Sequence, residues 1–240
     1  MSSSFSYAGA DLQSMDYARN YHHWVLDKFA HYPAKRILEV GAGQGTFTKH
    51  LASRYPDAKI YALEPSTEMY PLLQETAEVL ENVEVHQEFT YNLGKFLAGQ
   101  DIDMVVYNNV LEHVEADVEE LQRAHEILRP GGVVVTYSPA MQSLYSKFDA
   151  EVGHFRRYSL LEKVRKLQAA GFEVRENHYC DALGMVLWWG KYKLLRSEGL
   201  DAGNVKFFDR SIVPLMKRFE PRRGTPLGKN VFAVGYKKSV

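Results

Sequence analysis

The stretch Arg36-Ile37-Leu38-Glu39-Val40-Gly41-Ala42-Gly43-Gln44-Gly45-Thr46-Phe47 constrains this chain more than any other. An apolar run with β-branched residues ends at an acidic residue, and glycines then fall at every second position. Phe47, Leu51 and Tyr55 follow at helical spacing, up to the stop at Pro56-Asp57. That order reads as a strand, a tight turn and a helix N-terminus, the way open α/β sheets build a ligand-binding edge.

The same alternation recurs downstream. Strands are expected at Lys59–Leu63, about Val83–His86, Ile102–Tyr107, Val133–Tyr137, Phe172–Tyr179 and Asn230–Tyr236. Ile102–Tyr107 is apolar enough to be buried on both faces, as a central parallel strand must be. Ser66 is placed to cap a helix bearing Met69, Leu72, Leu73, Val79 and Leu80, with Pro71 near its start, whereas the stretch after Thr90 reads as irregular. Asp117 with Glu120, and Ser159 with Glu162, look like capping boxes, the helices closing at Pro130-Gly131-Gly132 and Gly171. Strands alternating with helices imply an α/β class with a Rossmann-like, doubly wound, seven-stranded sheet, mostly parallel with an antiparallel last strand. A single domain over 1–240 is expected, with an N-terminal helical lid (1–30), a core (31–180), an insertion between the last two strands (181–229) and the last strand (230–240). Residues 1 to about 12 read as a loose arm. The helix from Asp16 to Phe29, with Tyr17, Tyr21 and Trp24, either packs on the domain or closes over a ligand.

Composition removes several function classes. A net charge of -1 and a pI near 6.8 give no global field for nucleic acid. The single cysteine, Cys180, rules out an internal disulfide framework and fits a reducing, cytoplasmic setting. The start lacks a secretory pattern, and the longest apolar run, Met185 to Trp189, is far short of the roughly 20 residues of a membrane span.

The glycine spacing is Gly41-x-Gly43-x-Gly45 with Glu39 before it, unlike the G-x-G-x-x-G of dinucleotide sites. Glu39 would repel a diphosphate but suits an ammonium group, and the helix N-terminus suits a carboxylate. Glu64, ending the second strand, suits ribose hydroxyls. A phosphate-free nucleoside carrying an amino acid fits all three, and that ligand is S-adenosylmethionine (SAM). A dinucleotide oxidoreductase is disfavoured by the same residues.

Together, Glu39 to Gly45, Glu64, Asp103 to Asn109 with Val110-Leu111-Glu112-His113, and Leu128-Arg129-Pro130-Gly131-Gly132 resemble a class I SAM-dependent methyltransferase. The resemblance covers roughly Arg36 to Pro139. It implies that Glu39, Gly41, Ala42, Gly43 and Gly45 hold the methionine moiety, Glu64 the ribose, Pro65 and Glu88 the adenine, and that Asn109 and Val110 line the methyl-transfer pocket. Gly153 to Ser159, with Ala182-Leu183-Gly184 and Trp188-Trp189, is similar to a bacterial branch of small-molecule methyltransferases.

Methyl transfer from a sulfonium is an in-line displacement that needs alignment and exclusion of water, with a base only where the acceptor arrives protonated. His113 and His154 are the candidate catalytic residues, each also readable as a structural histidine. Arg156 and Arg157 could clamp an anionic acceptor or pair with Asp149 and Glu151, and Tyr21, Tyr158 and Trp188 complete the candidate acceptor site. The insertion is expected outside the sheet core, roofing the acceptor or forming a dimer face. Membrane contact through it and Arg222-Arg223 is a further option. No His/Asp/Glu spacing points to a metal. The expected function is methylation of an oxygen or nitrogen of a small-molecule acceptor, releasing S-adenosylhomocysteine, by a monomer or homodimer. The alternative is a SAM-binding regulator or scaffold without turnover.

Overall fold

The computed structural model describes residues 16–194, 202–221 and 223–239. The expected N-terminal arm, Arg222 and residues 195–201 of the insertion lie outside the described residues.

Seven strands form one sheet: β1 (Arg36–Val40), β2 (Lys59–Leu63), β3 (Val83–His86), β4 (Ile102–Asn108), β5 (Leu128–Pro139), β6 (Glu173–Cys180) and β7 (Asn230–Tyr236), in the order β3-β2-β1-β4-β5-β7-β6. Neighbours from β3 to β5 pair in parallel, and β7 runs antiparallel to both β5 and β6. The strand order reverses between β1 and β4, and at such a switch point the carboxyl ends of the strands open a crevice. Met104, Val105, Val106 and Tyr107 of β4 are all buried, as a strand covered on both faces requires.

The helices are α1 (Arg19–Phe29), α2 (Thr46–Arg54), α3 (Tyr70–Ala77), α4 (Thr90–Ala98), α5 (Asp117–Ile127), α6 (Lys147–Glu151), α7 (Leu160–Ala169), α8 (Ala182–Trp188), α9 (Ala202–Phe207) and α10 (Val213–Phe219). One face of the sheet carries a core built with Leu26, Phe29, Leu51, Val213 and Met216. The other carries one built with Leu121, Ala124, Ile127 and Leu167.

Four expectations need correction. The stretch after β3 is not irregular: Thr90 and Leu97 of α4 are buried one above the other two turns apart, with Gly94 between them obscuring the helical period. Asp117 and Glu120 do not form a capping box, since Ala116 precedes the helix without a side-chain cap. Their carboxylates instead serve buried phenols, Asp117 accepting from Tyr158 at 2.7 Å and Glu120 from Tyr107 at 2.8 Å, because an unpaired buried hydroxyl costs more than an open helix end. The insertion is not wholly outside the core, because Val213 and Met216 pack into the same layer as α1. Finally, α1 begins at Arg19 and is bound to the insertion, the Asp209 carboxylate accepting from the backbone N–H of Tyr21 at 2.9 Å and of Asn20 at 3.2 Å. The cap at Ser159 is formed, its hydroxyl accepting from the Glu162 N–H at 3.2 Å.

Candidate functional site

Gly41, Gly43 and Gly45 hold φ values of 70°, 57° and 88°, the left-handed region in which a side chain is strained. A Cβ on Gly41 would stand 2.7 Å from Val110 Cγ2, and one on Gly45 would stand 2.5 Å from Thr76 Cγ2. The N–H groups of Gly41 and Ala42 both donate to the Leu63 carbonyl, at 2.8 and 2.9 Å, tying the turn to the end of β2. Gly45 precedes α2 without a side-chain cap, so the amides of that helix end are left to an anionic group.

Glu39 lies in register with Ala62 of β2 and Val106 of β4, which explains why a carboxylate is only 2% exposed. Its Oε2 is buried with no hydrogen-bond partner. Burial pushes its pKa up to about 8, with Thr48 opposing and Glu64 adding to the rise. Glu64 accepts from the Gly43 N–H at 2.7 Å and the Ser66 N–H at 2.8 Å, yet its pKa is raised because burial outweighs those bonds. Pro65 follows, half-buried. Glu88, beyond β3, accepts from the Asn92 amide and is half-buried, beside the stacked rings of Phe89 and Tyr91. Asn109 takes a φ of 55° and donates its N–H to the Tyr137 carbonyl at 2.8 Å, which turns the chain so that Val110 abuts Gly41.

The chain leaves β4 through a single 3-10 turn, Leu111–His113, which buries Glu112 completely. The loop carrying His154 returns to this turn, the Phe155 N–H donating to the Glu112 carbonyl at 2.8 Å. The rings of His113 and His154 therefore stand 4.6 Å apart, edge to face. His154 Nδ1 lies 2.9 Å from Asp149 Oδ1, and Arg157 Nε donates to the same oxygen at 2.8 Å. Burial raises the Asp149 pKa, but His154 and Arg157 outweigh it and hold the carboxyl near 2. Burial, and then the charge of His154, lower His113 to about 3, a bond to the Gly153 backbone opposing both. Glu112 is raised by burial, with His154 and Lys163 pulling it back. The two candidate catalytic histidines are thus brought together, with Asp149 orienting one of them.

The other candidate acceptor residues are committed elsewhere. Arg157 is 2% exposed, binds Asp149 and lies over the Trp188 ring at 4.7 Å, so it braces the loop rather than offering a clamp. Arg156 pairs with Asp117 at 2.9 Å and donates to the Glu115 carbonyl at 2.9 Å. Tyr158 is fully buried with its hydroxyl against Asp117 and the Leu111 carbonyl. Tyr21 is buried with its hydroxyl 2.8 Å from that of Tyr137 and 2.9 Å from Asn230 Nδ2, and so supports the sheet end. Trp188 packs on Phe148 and Tyr192 and is half-buried. The expected alternative for the arginines, a pairing with Asp149, is what Arg157 adopts, whereas Glu112 and Lys163 were not singled out from the sequence. The only signal for Glu112 was its place beside His113 at the carboxyl edge of β4.

A glycine turn after β1, an acid after β2 and the switch-point crevice thus meet at one edge of the sheet. Residues 38–134 match the family model described as a methyltransferase domain, and the chain is similar to SAM-dependent methyltransferases. The trans-aconitate 2-methyltransferase of Deinococcus radiodurans is 29% identical over 136 residues, covering 52% of this chain and 50% of that protein. A malonyl-[acyl-carrier protein] O-methyltransferase of Ilyobacter polytropus is 23% identical over 167 residues, covering 62% and 63%. A SAM-dependent methyltransferase structure from Archaeoglobus fulgidus superposes with a TM-score of 0.61 at 17% identity, covering 94% of this chain and 99% of that one, a likeness of fold. The chain spans about half the length of the first curated relatives it matches, 44% and 50%.

Proposed function

We propose that this protein transfers the methyl group of SAM to an oxygen or nitrogen of a small-molecule acceptor. The observation that carries the reading is the buried Glu39 carboxylate with an unpartnered oxygen at the foot of the glycine turn. Such a group calls for a partner, and an ammonium supplies one. The cofactor, when bound, supplies a methyl group already activated on a sulfonium. The chain's own residues then have four tasks. The amides after Gly45 take the carboxylate, Glu39 takes the ammonium, Glu64 takes ribose hydroxyls, and Pro65 and Glu88 flank the base. Asn109 and Val110 close the turn toward the reacting end. The acceptor's reacting atom is placed against Glu112, His113 and His154, and a protonated acceptor passes its proton through this group to water.

An anionic acceptor is favoured by the names of two relatives, which act on trans-aconitate and on a malonyl group. A clamp by Arg156 and Arg157 does not support that preference, because both guanidiniums are engaged by carboxylates of the chain. Isothermal titration with SAM is expected to give one site per chain, lost in Gly43→Arg. Absence of binding sinks the reading. Binding without S-adenosylhomocysteine formation across a panel of carboxylic, hydroxyl and amine acceptors would favour a regulator or scaffold instead.

A further inference from the structure

Glu112 and His113 lie 41 or more positions before His154, yet one ligand atom from each lies within 4.8 Å of the others. Two details separate this group from a chance gathering of polar residues. Glu112 is fully buried and neither of its carboxylate oxygens has a hydrogen-bond partner. Each imidazole is also held from behind by an oxygen acceptor. His154 Nδ1 faces Asp149 at 2.9 Å, leaving Nε2 for the cluster, and His113 is bonded to the Gly153 backbone. Asp149 is itself fixed by Arg157 at 2.8 Å and by the Ser146 N–H at 2.8 Å, so the His154 ring is locked in orientation. A carboxylate or carbonyl behind each ligating histidine is the arrangement that fixes tautomer and direction at metal centres.

We propose that Glu112, His113 and His154 bind one divalent first-row transition ion of the zinc type. Two imidazole nitrogens and one carboxylate suit zinc, cobalt or iron(II) rather than magnesium or calcium, which prefer oxygen alone. Three protein ligands leave a coordination position open, as in catalytic rather than structural sites. Bonds of about 2.0–2.1 Å around a tetrahedral ion would draw the three donors together to about 3.4 Å, a small closure from their present separation. The buried Lys163 donates to Ser138 Oγ at 3.1 Å and rests 3.4 Å from the Tyr158 ring centroid, and its charge acts on Glu112 without a hydrogen bond between them. On the methyltransferase reading, the open position would hold an oxygen of the acceptor beside the methyl group and favour its deprotonated form, the proton passing to water.

The test uses the full chain, stripped with chelator and titrated with Co²⁺ while visible absorption is recorded, then with Zn²⁺ by calorimetry. One ion per chain is expected, with the intense visible bands of a low-coordinate cobalt site, and at least tenfold weaker binding in Glu112→Gln and in His154→Asn. Thermal melts of the metal-free variants show whether either has lost its fold. His50→Asn, in a separate histidine group where His50 stacks on His22 and meets His23 edge to face, should leave binding intact. No saturable binding, binding undiminished in Glu112→Gln or in His154→Asn, or binding lost in His50→Asn, overturns the proposal. SAM titration of the same metal-free samples reports on the methyltransferase reading separately, so either can fail while the other stands.

Discussion

Glu39 concentrates the electrostatics of the cofactor site in one side chain. Its folded pKa of about 8 lies above the ordinary 4.5, so between these values the folded protein holds a proton that the unfolded chain has lost. Stability therefore falls as pH rises through that window, and the full penalty is present above pH 8. Glu39→Gln removes the ionisation while keeping the shape. It is expected to flatten the dependence of Tm on pH between 5 and 8 and to melt higher than the parent at pH 9, as thermal scans across that range would reveal. The same variant should bind SAM at least tenfold more weakly, since the amide cannot neutralise an ammonium. A second consequence belongs to the same residue. An ammonium placed beside Glu39 favours its ionised form, so SAM binding at pH 7 should release a large part of one proton in the parent and none through this group in Glu39→Gln. Calorimetry in two buffers of different ionisation enthalpy measures it, and equal enthalpies in the two buffers for the parent would refute it.

At the scale of elements, the insertion and α1 form one unit with the sheet. Met216 and Val213 of α10 lie in the layer that holds Phe29, Leu51 and Phe232, whereas Leu215 on the same helix is 45% exposed. Met216→Ala is expected to cost about 2–5 kcal/mol in urea unfolding, and Leu215→Ala to change stability by less than about 0.5 kcal/mol. Equal effects would mean that α10 is only loosely laid on the domain. The turn after β4 is joined to α5 and α7 through Asp117, which serves Tyr158, Lys166 at 2.7 Å and Arg156 at 2.9 Å. Asp117→Ala leaves those groups without their acceptor and should destabilise by about 3–5 kcal/mol, read by the same denaturation. Asp117→Asn, which keeps an acceptor oxygen, should cost less.

Across the whole molecule, the parts legible in the sequence were those encoded locally. The strand, glycine turn and helix of residues 36–54 carry their own signals, as do the buried β4 and the acid that ends β2, because each depends on residues close in sequence. The Glu112–His113–His154 group was not legible, since it forms only when the loop after α6 folds back onto the turn after β4. Tyr158 read as an acceptor ligand for the same reason, its buried partner Asp117 lying 41 residues away, whereas the nearby Asp149 was legible as a partner for Arg157. Helix α4 was hidden by a glycine at mid-helix, which weakens a helix but does not forbid it. The locally encoded half also makes a demand on the intact protein. A ligand that binds only the native state stabilises it by RT ln(1 + [L]/Kd), about 2.7 kcal/mol at a hundredfold excess over Kd. For a domain of this size that corresponds to roughly 5–10 °C. SAM and S-adenosylhomocysteine should both raise Tm by this order in the parent, neither should do so in Gly43→Arg, and NAD should have no effect because Glu39 repels its diphosphate and the glycine spacing departs from the dinucleotide fingerprint. A shift with NAD that equals the shift with SAM would return the site to the dinucleotide class.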